Sequence, residues 1–230
     1  MPNRNLELLT DAARLLKPLL GELVFVGGCA TTLLITDQAA ADVRPTFDVD
    51  AIAEITSYAD YTAFSQKLRK LGFAEDTSEG APVCRWKQAT TTLDVMPLDE
   101  KILGFSNRWY RSAMDSSQER NLDRDLTIRV VTAVYFCATK LEAFHGRGQN
   151  DFLASHDLED LIAVIDGRSE LGTEVRAASE DVRVYIASEI GKLLNTPTFI
   201  DALPGYLLPD TVSQARITLL LERLKELAAL

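Results

Sequence analysis

Asp48 and Asp50 flank Val49 in the run Arg44-Pro45-Thr46-Phe47-Asp48-Val49-Asp50. On an extended segment side chains alternate between faces, so the two carboxylates share one face and the valine turns to the other. Two carboxylates on one face can share a divalent cation. A third acid, Asp94, lies in the apolar run Thr91 to Met96, which reads as a strand able to bring it to the same ions. Upstream, the short β-run Leu23 to Val26 closes on Gly27-Gly28 and leads into a helix, where bare backbone amides can approach a phosphate. Three acids beside a glycine turn suit two-metal phosphoryl transfer, with the metals at Asp48, Asp50 and Asp94. An all-oxygen, partly hydrated site suits a hard cation, magnesium first and manganese second.

Other side chains could assist. Gly27 and Gly28 would cradle phosphates, Thr31 would add a hydroxyl, and Arg44 and Thr46 stand just ahead of the acidic strand. A plain strand-to-helix turn would also favour the glycines, and carboxylates at strand ends can simply solvate them. Lys140 emerges among Phe136, Ala138, Leu141 and Phe144, so its charged head is expected to reach toward a cleft, and no structural partner for it is evident; Arg147 is a second cation nearby. Asp157 and Asp160 sit in the first turns of a helix, where acids already offset the helix dipole. His145 and His156 lack the spacing of a zinc site.

The order Gly-Gly, Asp-x-Asp and then a lone Asp resembles the nucleotidyltransferase superfamily, the fold of polymerase-β-like and aminoglycoside-modifying enzymes. A narrower resemblance, to AbiEii-type nucleotidyltransferases, rests on Arg44 to Asp50, on Ala138-Thr139-Lys140-Leu141-Glu142-Ala143-Phe144-His145-Gly146-Arg147-Gly148 with Asp151, and on Ser155 to Leu161. It covers about Leu23 to Gly167. Many AbiEii-type proteins are described as toxins of type IV toxin-antitoxin systems. The resemblance implies a mixed β-sheet with flanking helices and a C-terminal helical lobe. It also implies a magnesium-dependent transferase moving a nucleoside monophosphate from a nucleoside triphosphate to a hydroxyl acceptor such as RNA or tRNA, with a cognate antitoxin as partner. It places a phosphate-binding lysine at Lys140 and an acidic residue of the last motif at Asp157. One departure matters: the superfamily often has Gly-Ser at the phosphate turn, where this chain has Gly27-Gly28-Cys29. Transfer to a small molecule, and a catalytically silent nucleotide-binding or protein-interaction module, stand as alternatives.

The 230 residues suffice for one generous domain or two small ones without disulfide support. Three scattered cysteines, Cys29, Cys84 and Cys137, read as reduced core thiols, and the absence of an apolar leader or spanning run reads as a soluble, cytoplasmic protein with no membrane partner. A net charge of -10 disfavours broad phosphate-backbone binding. Arg108, Arg111, Arg120, Arg124 and Arg129 form a local basic concentration, although Asp115, Glu119, Asp123 and Asp125 are interleaved with them.

Apolar spacing predicts helices over Leu6–Leu20 and Tyr58–Leu71, strands over Val83–Lys87, Thr91–Met96 and Leu126–Val131, and a helix over Thr132–Phe144 broken near Gly146 and Gly148. Further helices are expected over Asp157–Ile165, Ser179–Leu194, Pro197–Ala202 and Val212–Leu227. The division is expected near residue 130: an α/β nucleotidyltransferase lobe over 1–130, and over 131–230 a helical lobe completing the nucleotide site.

Overall fold

A computed structural model describes residues 3–148 and 151–230. It divides into two compact units, Met1–Thr32 with Arg44–Thr132 and Leu33–Val43 with Ala133–Leu230.

The first unit is built on a seven-stranded mixed sheet. Its elements are α1 (Arg4–Leu15), β1 (Leu23–Val26), α2 (Gly27–Leu34, whose last residues pass into the second unit), β2 (Val49–Ala53), α3 (Tyr58–Lys70), β3 (Ala74–Glu75), β4 (Arg85–Gln88), β5 (Thr91–Met96), α4 (Glu100–Leu103), α5 (Tyr110–Asp115), β6 (Gln118–Asp123) and β7 (Leu126–Val130). The strand order is β3-β4-β5-β2-β1-β7-β6. Leu23, Val24, Phe25 and Val26 of β1 are all buried, which is why this strand reads as an unbroken apolar run rather than an alternating one. β1 pairs antiparallel with β2 and parallel with β7, while β2 pairs parallel with β5.

Local chemistry explains most boundaries. Asn3 caps α1 by accepting from the Leu6 amide, and Ser57 caps α3 by accepting from the Asp60 amide. The helix expected to run to Leu20 stops at Leu15, because Pro18 lacks an amide proton and the chain continues as a 3-10 turn over Lys17–Glu22. β6 has no counterpart in the sequence-based reading. Its segment, Gln-Glu-Arg-Asn-Leu-Asp, carries almost no apolar signal and lies at a sheet edge, where charged residues discourage further pairing. Backbone pairing with β7 makes it a strand.

The second unit is helical: α6 (Ala133–Arg147), α7 (His156–Gly167), α8 (Leu171–Ala177), α9 (Glu180–Leu194), α10 (Pro197–Ala202), α11 (Thr211–Ala215) and α12 (Ile217–Ala228). α6 runs through Gly146, beyond the expected break. Gly148 then lies so close to Phe144 that an added Cβ would fall 2.2 Å from the ring. Short α8 was not anticipated. The single helix expected over Val212–Leu227 divides at Arg216, whose amide makes a tight i−3 bond to Ser213.

Arg216 explains how residues 33–43 are fastened. Its guanidinium donates to the Asp166 carboxylate at 2.8 Å, to Asp37 at 2.8 Å and to the Asp166 carbonyl at 2.9 Å. The amides of Thr36 and Asp37 donate to the Gly167 carbonyl, and Arg168 donates to the Leu34 carbonyl. No described helix is long and apolar enough to cross a membrane.

Removing the Arg216 guanidinium would leave Asp166, 3% exposed, short of its main charge partner. Arg216→Ala should therefore cost about 3–5 kcal/mol, the usual penalty for breaking a buried ion pair. Urea unfolding would measure the loss, and limited proteolysis should show earlier cleavage within residues 33–43.

Candidate active site

Sheet register places the acids. Val26 at the end of β1 lies opposite Asp50, and Asp50 lies opposite Asp94 in the parallel β2–β5 pair. Asp48 immediately precedes β2 and is part-exposed, as is Asp50, while Val49 between them is fully buried. The expected alternation is present.

The strongest contact to these acids comes from a residue that the sequence-based reading passed over. Arg85 on β4 is opposite Asp94 in the β4–β5 hairpin. Its Nε donates to Asp94 Oδ1 at 2.8 Å and its Nη2 to Asp94 Oδ2 at 2.7 Å, a bidentate fork. Nη2 also donates to Asp48 Oδ2 at 2.7 Å. Donating hydrogen bonds to Asp94 raises the Arg85 pKa further and holds the guanidinium charged. A signal for Arg85 did exist. A two-residue turn at Ala89-Thr90 pairs Gln88 with Thr91, and counting back along both strands brings Arg85 to Asp94. Next to it, burial and then the charges of Asp94 and Asp50 push the Cys84 thiol up to about 12, leaving it protonated and unreactive.

The glycine turn meets the acids directly. Gly27 has φ +69°, and a Cβ added there would lie 1.8 Å from Asp50 Oδ2, so the carboxylate packs onto the bare α-carbon. At Gly28 an added Cβ would meet Thr46 Cβ at 3.3 Å and Arg44 Nη2 at 3.6 Å, which places Arg44 and Thr46 along the start of α2. Thr46 Oγ1 donates to Asp48 Oδ1 at 2.8 Å. Asn5 on α1, also absent from the sequence-based candidates, pins this segment: its side chain accepts from the Thr46 amide and donates to the Arg44 carbonyl. Cys29 Sγ donates to the Asp48 carbonyl at 3.2 Å. Thr31 is fully buried, and its hydroxyl donates to the Gly27 carbonyl one helical turn back. Phe47 is 71% exposed, with the Arg4 guanidinium 5.0 Å from its ring centroid.

Lys140, Arg147, Asp157 and Asp160 meet in the helical unit. Lys140 Nζ donates to Asp160 Oδ2 at 2.6 Å and to Asp157 Oδ1 at 3.2 Å, and it lies 5.7 Å from the Phe136 centroid. Arg147 forks onto Asp157 at 2.8 and 2.9 Å. The expectation that Lys140 lacks a structural partner is corrected. α6 and α7 bury the lysine beside two acids that a linear reading leaves 17 and 20 residues away. Burial alone would raise the Asp157 pKa, but the Arg147 hydrogen bonds and the Lys140 charge outweigh it, and the net shift is downward from 3.8. His145 pairs with Glu189, and His156 with Glu159.

The arginines expected to form a basic surface are largely engaged nearby. Arg111 pairs with Glu54, Arg120 bonds to Gln118, Arg129 bonds to Ser117 and to the Met114 carbonyl, and Arg108 lies over the Trp109 ring.

Among the described residues no group of three or more His, Cys, Asp or Glu side chains is gathered so as to hold a metal ion. The donor chemistry still suits a hard cation, since Asp48, Asp50 and Asp94 offer only carboxylate oxygens and Gly27 leaves room for Asp50. Arg85 occupies that charge position at Asp48 and Asp94.

No protein-family profile matches the chain, and no curated protein matches it. Among solved structures, the chain is similar to the following two and to others. An antigenic nucleotidyltransferase-like protein from Paracoccidioides brasiliensis is 17% identical, with 87% of this chain and 94% of that chain covered and a TM-score of 0.49. A candidate nucleotidyltransferase from H. pylori is 12% identical, with 100% and 93% covered and a TM-score of 0.46.

Gly27→Ala should be destabilising through both its left-handed φ and the collision with Asp50, whereas Gly28→Ala requires only a small shift of Thr46. Thermal melts should show a loss of more than about 1 kcal/mol for the first and less for the second. The Asp157 carboxylate has a depressed pKa in the folded state, so its stabilisation is present above the unfolded value and is lost as pH falls through the lower folded one. The stability difference between the parent and Asp157→Asn should be about 1.5–3 kcal/mol near pH 7, the usual worth of hydrogen bonds to charged groups. It should shrink below pH 4, as denaturant titrations across pH would report.

Proposed function

We propose that the chain is a nucleotidyltransferase that moves a nucleoside monophosphate from a nucleoside triphosphate to a hydroxyl acceptor and releases pyrophosphate. One observation carries this reading: the Asp50 carboxylate lies against Gly27 at the head of α2, with Asp94 beside it in register. On this reading, phosphate handling and an acidic cation site would meet at one turn. Asp48, Asp50 and Asp94 would hold magnesium, which would neutralise charge on the phosphates and lower the pKa of the attacking hydroxyl. The amides at the start of α2, with the positive end of that helix, would orient the donor phosphates. Arg44, close to Gly28, would add a cationic contact to the same group. Thr46 orients Asp48 through its hydroxyl, and Asn5 holds Thr46 in place. Asp94, 6% exposed, is shielded from bulk water, which strengthens any charge interaction it makes.

The AbiEii-type resemblance makes an RNA or tRNA hydroxyl the first acceptor to examine, with a toxin-like role and a cognate antitoxin. A small-molecule acceptor is the second reading. It is favoured by the local engagement of Arg108, Arg111 and Arg120, which reduces the cationic surface offered to an RNA backbone.

Purified protein should transfer α-labelled phosphate from one of the four triphosphates, in the presence of magnesium, to either total RNA or a metabolite extract. Asp50→Asn and Asp94→Asn should each lower transfer by more than the ~10–100-fold that loss of a group outside a metal's ligands costs. Circular dichroism should confirm that both variants fold. Undiminished transfer by folded Asp50→Asn protein would exclude this site as the catalytic centre.

A further inference from the structure

We propose that Arg85 is a displaceable internal cation, and that a divalent ion gains Asp48 and Asp94 only when the guanidinium leaves them. The inference rests on the reading of these acids as a cation site, and it adds a residue which neither the acidic motif nor the glycine turn includes.

The geometry sets up a competition. Arg85 holds both oxygens of Asp94 and one oxygen of Asp48, all between 2.7 and 2.8 Å. Those oxygens are among the hard donors that a divalent cation would take. A guanidinium fork and a divalent ion cannot both take the same carboxylate lone pairs with good geometry. Without either cation, Asp94 would be a nearly buried charge with another carboxylate close by, a costly arrangement. Arg85 therefore stabilises the acid pair in the metal-free protein. Its side chain retains 23% exposure, so it is not sealed within the protein and has solvent toward which it can move. Its long aliphatic stem allows that movement while β4 keeps its backbone pairing with β5. The consequence is a threshold: cation binding must repay the broken fork, so the acids remain closed at low ion concentration and open as it rises.

A purely structural clamp makes a different prediction. If Arg85 only ties β4 to β5, its replacement weakens the fold without strengthening ion binding. Calorimetric titration of the full chain with Mn2+ separates the two. Arg85→Met should melt at a lower temperature than the parent without metal, bind Mn2+ about tenfold more tightly or better, and show a larger rise in melting temperature on Mn2+ addition; tenfold corresponds to about 1.4 kcal/mol. Arg85→Lys keeps a cation but loses the fork, so it should fall between them, and it provides the same comparison if the methionine variant does not fold. Adding Asp94→Asn to Arg85→Met should abolish the gain. Equal or weaker Mn2+ binding by both Arg85 variants overturns the proposal while leaving the cation site standing. Tight binding that survives Asp94→Asn places the ion elsewhere and also overturns it. No Mn2+ binding by the parent or any variant overturns both the proposal and the metal reading beneath it.

Discussion

The close approach of Asp50 to Gly27 is the constraint on which the acidic site depends. A carboxylate at the second residue of β2 can face the head of α2 only if the residue there has no Cβ and can adopt a left-handed backbone. Gly27 satisfies both conditions. That contact sets where β1 ends, where α2 begins and which face of β2 carries the acids. The pairing of β2 with β5 then brings Asp94 alongside without any further loop geometry.

Gathering like charges has a cost, and the fold offsets it with arginine. Three carboxylates on adjacent strands repel one another and, where buried, lose hydration. Arg85 meets Asp48 and Asp94, Thr46 donates to Asp48, and the start of α2 lies beside Asp50. The helical unit follows the same rule: Lys140 and Arg147 neutralise Asp157 and Asp160, and Arg216 neutralises Asp166 and Asp37. In a chain with a net charge of -10, several basic residues are thus committed to buried acids. Fewer remain for a continuous basic face.

Much of the site was legible in the linear sequence because its signals are local. Alternation at Asp48, Val49 and Asp50 requires only the period of a strand, and the apolar runs Leu23–Val26 and Thr91–Met96 mark buried strands by composition. Ser155 capping α7 is also a property of neighbouring residues, whereas the stop at Pro18 was overrun by an apolar spacing that continues to Leu20. β6 was illegible for the converse reason. It is a polar edge whose strand character comes from β7, a partner outside its own residues.

By itself the sequence determined which residues could bind phosphate or a hard cation, and which face of a strand the two acids of the motif would share, because residue chemistry and backbone period are intrinsic to a segment. Only the tertiary structure decided what those residues touch. Arg85 reaches Asp94 through a hairpin register, Asn5 reaches Thr46 across 41 positions, and Lys140 meets Asp157 and Asp160 through helix packing. Such contacts depend on sheet order and on the burial of whole elements, so a charge that looks unopposed in the chain can be fully paired in the fold.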